Sequence, residues 1–127
     1  MLHSQSLEEI ERSTFEVDNI LERARASDSD SERERLATQT LTMARSLRYD
    51  GGIIRSSMVL GEVCARSGRT EQALQYYLEA EAKIINTGNR AAQLAVQNAL
   101  GDLFFQEKLY VNARRYYREI LALQPND

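Results

Sequence analysis

Apolar residues recur three or four positions apart along most of the chain, which is the period of an amphipathic helix. Leu7, Ile10, Val17, Leu21 and Ala24 form the first stripe, with Thr14 in the remaining slot. They predict a helix of about five turns. It ends at SDSDS, Ser27 to Ser31, short polar residues that compete for helix backbone and suit caps and turns. That run reads as a turn or a short disordered stretch. It is not an interdomain linker, because nothing before it is large enough to fold alone.

A second stripe, Leu36, Ala37, Leu41, Ala44 and Leu47, predicts a helix from about Glu32 to Leu47. YDGG, Tyr49 to Gly52, predicts the next break, because glycine takes backbone angles that other residues avoid. The third helix carries Ile53, Ile54, Met58, Leu60, Val63 and Cys64. It should stop at Gly68, with Thr70 as N-cap of the fourth. The fourth buries Ala73, Leu74, Tyr77, Leu78 and Ile84, and NTGNR, Asn86 to Arg90, ends it. A fifth helix carries Leu94, Val96, Leu100, Leu103 and Phe104. A sixth carries Tyr110, Ala113, Tyr117, Ile120 and Leu121, and Pro125 ends it. Six helices, short breaks and no strand pattern predict an all-α protein of successive antiparallel hairpins.

Two stretches share one outline. GEVCARSGRTEQALQYYLEA begins at Gly61, and GDLFFQEKLYVNARRYYREI begins at Gly101. Leu60 and Leu100, Gly61 and Gly101, Ala73 and Ala113, and Tyr77 and Tyr117 are each forty residues apart. Landmarks that recur while the residues between them vary mark a structural repeat. Small residues on both helices of a unit would let them approach closely, Gly61 facing Ala73 and Gly101 facing Ala113. Tyr77 and Tyr117 would then fill the space between hairpins, each burying on the order of 150–250 Å².

In these positions the chain resembles the tetratricopeptide repeat (TPR) family, in an elongated forty-residue form. The last unit reads Leu100, Gly101, Phe104, Ala113, Tyr117, Ile120 and Pro125. The middle unit reads Leu60, Gly61, Cys64, Ala73, Tyr77 and Ala80, with Ile85 in place of proline. The match departs from the family at its early tryptophan, replaced by Ser57 and Gln97, and at Ile120, where alanine is usual. The resemblance implies a right-handed superhelical stack of antiparallel hairpins, a TPR-like α-solenoid. It also implies one domain over 1–127. Residues 1–50 would be a divergent first hairpin, 51–88 the middle repeat and 89–127 the last. Ala37, Leu41 and Ala44 echo the spacing of Ala73, Tyr77 and Ala80 in that first unit.

Composition narrows the function. A net charge of −3 argues against nucleic acid as the main partner. The cluster of Arg114, Arg115 and Arg118 is interrupted by Glu119 and reads as a solvated helix face. No apolar run approaches a membrane span. The single cysteine, Cys64, cannot form an internal disulfide, so a reducing, cytoplasmic setting is the simplest reading. His3 is the only histidine, which removes a histidine-based triad and a multi-histidine zinc site. No phosphate-cradling glycine loop occurs. Cys64 lies on an inner helix face and reads as core packing. These observations point to no enzyme, no cofactor and no metal.

What remains is a surface. In the TPR family the first helix of each pair lines a concave groove that holds a partner segment. Carried over by position, that groove would present Arg55, Met58, Glu62 and Arg66, then Ala95, Asn98, Asp102 and Phe105. Met58 and Phe105 would anchor an apolar side chain, while two matched acids, Glu62 and Asp102, would oppose an acidic peptide terminus. The expected function is a non-enzymatic protein–protein interaction module, regulatory or scaffolding, with a protein or peptide partner. The alternative is a sensory or self-assembly domain of a larger bacterial signalling protein. It would homodimerise through the C-terminal helix, where Tyr110, Tyr116 and Leu123 would lie uncovered.

Overall fold

The computed structural model describes residues 6–123. They form six helices: α1 (Leu7–Ala26), α2 (Asp30–Leu47), α3 (Asp50–Arg66), α4 (Thr70–Ile84), α5 (Arg90–Gln106) and α6 (Tyr110–Leu123). No strand occurs among the described residues. The expected stop at Pro125 and the histidine at His3 lie outside them.

Local chemistry accounts for three of the six helix starts. Ser6, Ser29 and Asn89 each accept a hydrogen bond from the backbone N–H three residues on, at 3.2, 3.2 and 3.0 Å. Only Ser27, Asp28 and Ser29 of the serine-aspartate run lie outside helices, and Ser29 N–H donates to Ser27 Oγ at 3.1 Å. The run is therefore an ordered turn. Gly68 ends α3 in the left-handed conformation, φ 78°. Lys108, forty residues later, holds the same conformation at φ 62°.

Two boundaries differ from expectation. Gly51 and Gly52 do not break the chain; both sit in the first turn of α3, and Arg48 makes the left-handed turn instead. Gly52 is needed for packing. A Cβ there would lie 2.9 Å from Ala44 Cβ and 3.0 Å from Val17 Cγ1, so three helices converge on this residue. Thr70 is not the N-cap of α4. Arg69 flanks the helix without a side-chain cap, and the Thr70 hydroxyl donates to Glu107 Oε1 at 2.8 Å.

Consecutive helices pack as antiparallel hairpins. The first helices also touch one another, α1 on α3 and α3 on α5, whereas α2, α4 and α6 have no such backbone-close neighbours. The result is an inner layer of α1, α3 and α5 and a more open outer layer of α2, α4 and α6. One core, built on Val17, Leu21, Leu41, Ile53 and Leu60, joins the first two hairpins. Another, built on Cys64, Tyr77, Ile84, Val96, Leu100 and Tyr116, joins the last two.

The repeat landmarks work differently from the expected small-on-small contact. The atoms nearest a Cβ on Gly61 belong to Tyr77, with Cδ1 at 2.6 Å, and those nearest a Cβ on Gly101 belong to Tyr117, with Cε1 at 2.7 Å. Each tyrosine ring thus lies against the glycine of its own hairpin. Tyr77 additionally enters the core shared with the next hairpin and is buried; Tyr117 is half-buried. On α6 the buried face is Ala113, Tyr116 and Ile120, while Tyr110 and Leu121 point outward. Tyr116, expected at the surface, stacks on Phe104 with ring centroids 5.6 Å apart. Leu78, expected inside, is exposed.

The glycine contacts predict unequal substitutions. A methyl at Gly61 must displace a buried ring, at about 1–3 kcal/mol. Alanine's better helix propensity returns about 1 kcal/mol. Gly61→Ala should therefore lower the unfolding free energy. Gly101→Ala, facing a ring with room to swing, should be near neutral; urea denaturation of both variants measures the difference.

Candidate functional site

The inner layer curves around a cleft of about 620 Å³ between α3 and α5, reached by Arg25 from α1. Ile54, Met58 and Val59 form the α3 wall, and Ala95, Ala99 and Leu103 form the α5 wall. Around this apolar lining stand charges of both signs. Six of the eight groove residues expected from sequence come together here: Arg55, Met58, Glu62, Arg66, Ala95 and Asp102. Asn98 and Phe105 do not line it. They lie on a strip of α5 about a quarter-turn round from the lining face. Phe105 is exposed and meets the edge of Tyr110, ring centroids 5.4 Å apart. Ile54, Val59, Ala99 and Leu103 of the apolar walls were missed by the sequence reading. Their signal was a surplus of apolar side chains on α3, more than one buried face can use.

The charged groups differ in how far they are already engaged. Arg55 bonds the Asp18 carboxylate, donates to the Gly51 carbonyl at 3.2 Å and to the Tyr49 hydroxyl at 2.8 Å. Burial works against the charged Asp18, but Arg55 and Tyr49 outweigh it and hold its carboxyl below the usual range. Arg55 is therefore a wall of the cleft, tied to α1. Glu62 pairs with Arg66 at 2.7 Å, and Arg66 also approaches Asp30 at 3.8 Å. Asp102 accepts a hydrogen bond from the Tyr117 hydroxyl at 2.7 Å and has no cation paired with it among the described residues. Of the two matched acids, Asp102 is the open one.

Cys64 is 1% exposed, its thiol lies 3.8 Å from Gln72 Oε1, and burial pushes its pKa up, which disfavours the thiolate. Among the described residues no three His, Cys, Asp or Glu side chains are grouped to hold a metal. No described helix is long and apolar enough to cross a membrane. Arg114, Arg115 and Arg118 are all exposed on α6, and Arg115 lies over the Tyr116 ring, 4.8 Å from its centroid.

The family profile described as Tetratricopeptide repeat matches residues 52–126, well over half of the chain. The chain belongs to the tetratricopeptide repeat family. The matched span covers the two glycine–tyrosine hairpins of this TPR protein, α3–α4 and α5–α6. TPR units are non-catalytic repeats that generally mediate protein–protein interaction. No curated protein and no solved structure matches the chain significantly.

The repeat tyrosines carry a pH dependence. Burial, and then the nearby Glu62, pushes Tyr77 up to about 12; burial, and then its bond to Asp102, does the same to Tyr117. An unfolded phenol titrates near about pH 10. The folded state therefore holds these protons longer than the unfolded state. Their contribution to stability is complete below about pH 10 and is lost as pH rises from there towards 12. The urea midpoint should fall across this window, and the fall should be shallower in Tyr77→Phe. A midpoint equally steep in that variant would contradict the assignment.

Proposed function

We propose that this TPR protein is a non-enzymatic interaction module, regulatory or scaffolding, that docks a partner segment in the cleft between α3 and α5. The α1–α2 hairpin serves in this reading as a divergent third unit that closes one side. The supporting observation is the cleft itself, an apolar lining with one acid, Asp102, left without a cation. Met58, half-buried on its wall, is suited to contact an apolar side chain. Asp102 favours a basic or neutral group beside it and opposes a carboxylate. The preferred ligand is an extended segment or amphipathic helix with an apolar anchor next to a basic residue. A cytoplasmic setting suits a chain whose one cysteine is a buried free thiol.

A second reading rests on a different surface. Val111 and Leu121 on α6 are 79% and 67% exposed, with Leu109 and Tyr110 beside them. Such a face suits self-association, as in a homodimerising sensory domain of a bacterial signalling protein.

Display of a random peptide library separates the two. The wild-type chain should enrich peptides with an apolar residue beside Lys or Arg. Met58→Glu and Asp102→Lys should each reduce their capture about tenfold or more while circular dichroism stays unchanged. Enrichment of acidic peptides, unaffected by either substitution, would refute docking in the cleft. No enrichment, together with a mass that rises with concentration, would favour the α6 reading.

A further inference from the structure

The outer layer has two seams, and they differ by one reversed charge. Ala44 of α2, Ala80 of α4 and Ile120 of α6 occupy the same place in successive hairpins. Arg45 follows Ala44, and Glu81 follows Ala80; Glu79 precedes Ala80, and Glu119 precedes Ile120. At the first seam Arg45 of α2 reaches Glu79 of α4, with Nε donating to Oε2 at 3.0 Å and Nη2 to Oε1 at 2.5 Å. This two-pronged pair bridges helices whose backbones do not pack directly. At the second seam the same two places hold Glu81 of α4 and Glu119 of α6. A carboxylate stands where the first seam has its guanidinium.

Between α4 and α6 a cavity of about 580 Å³ opens, lined by Glu81 and Glu119 together with Leu78, Ile84, Ile85 and Leu123. Gln97 of α5 lines it as well, only 7% exposed. Its Nε2 donates to Glu119 Oε2 at 3.3 Å, and its Oε1 is buried without a hydrogen-bond partner. An orphaned buried acceptor is uncommon and calls for an explanation. The cavity thus collects two carboxylates and an unused amide oxygen, all acceptors, among largely aliphatic walls in which Gln93 is the other polar side chain. Arg115 of α6 stands near Glu81 but lies over the Tyr116 ring and makes no ion pair with either acid.

We propose that the α4/α6 seam receives one arginine side chain from a partner protein, which supplies the guanidinium that Arg45 supplies at the first seam. A planar guanidinium carries five N–H donors in a fork and can serve both carboxylates and the amide oxygen together. The aliphatic walls suit its methylene stem. A lysine offers the charge but not the fork. This site opens on the outer face, shares only Ile84 with the concave cleft, and does not depend on binding there.

The probe is N-acetyl-arginine amide, added to the isotope-labelled chain and followed by NMR. Saturable shifts are expected at the Gln97 side-chain amide and at Glu81 and Glu119, with an affinity in about the millimolar range for so small a ligand. The citrulline analogue, of the same shape but uncharged, should not produce them. Glu81→Gln and Glu119→Gln should each weaken binding about tenfold. Glu81→Arg places a guanidinium within the chain opposite Glu119; it should raise the thermal midpoint and abolish the shifts. No saturable shift, or shifts equal with citrulline or in both Gln variants, would overturn the site. Agmatine binding more tightly than the capped arginine would reassign it to a small-molecule guanidine.

Discussion

The ring of Tyr77 lying on Gly61 is the contact on which the rest of the arrangement depends. Glycine removes the Cβ that would occupy the ring's place, so α3 and α4 close on a flat aromatic surface. The same ring reaches into the core shared with α5, beside Val96 and Leu100. One side chain therefore sets the spacing within a hairpin and the seating of the next hairpin upon it. Tyr117 repeats the first half of this device on Gly101 and anchors its hydroxyl to Asp102. The joint is thus connected directly to an acid of the concave cleft.

From that joint follow two layers with different jobs. First helices approach one another closely and curve around the cleft, while second helices stand further apart. An open outer layer needs bridges, which long side chains supply. Arg45 reaches Glu79, and Arg69 meets Glu34 through two contacts of 2.8 Å. These pairs are partly exposed, so their worth lies in orientation more than in stability. The proposed binding surfaces are the spaces that the repeats leave unfilled. One is the curved inner face; the other is the outer seam where the bridging charge is reversed.

Much of this was legible in the sequence because helical period and repeat spacing both report burial directly. Six helices, their order and the two glycine–tyrosine units follow from residues that recur at fixed separations. Boundaries were harder. Gly51 and Gly52 read as a turn because sequence shows their freedom but not the crowding of Val17 and Ala44 that requires them inside a helix. Of two adjacent tyrosines, repeat spacing points to Tyr117 for the buried face of α6, but packing on Phe104 puts Tyr116 in the core instead. Two expected groove residues, Asn98 and Phe105, fall outside the cleft for a geometric reason. A cleft between two helices is lined by the sides that face each other, and moving one repeat along carries the facing side of α3 to the far side of α5. Glu62 and Asp102, near the middle of the inner face, survive that step; Asn98 and Phe105 do not.

The chain carries its own reporters for the central claim, that partners dock on the concave face. The Met58 side chain lines the cleft, whereas Met43 packs against the cores of the first hairpin, on the other side of the inner layer. With both methyl groups labelled, a peptide captured from the display library should move and broaden the Met58 resonance and leave Met43 in place. A bound peptide that leaves Met58 unmoved would contradict the account and place recognition elsewhere on the molecule.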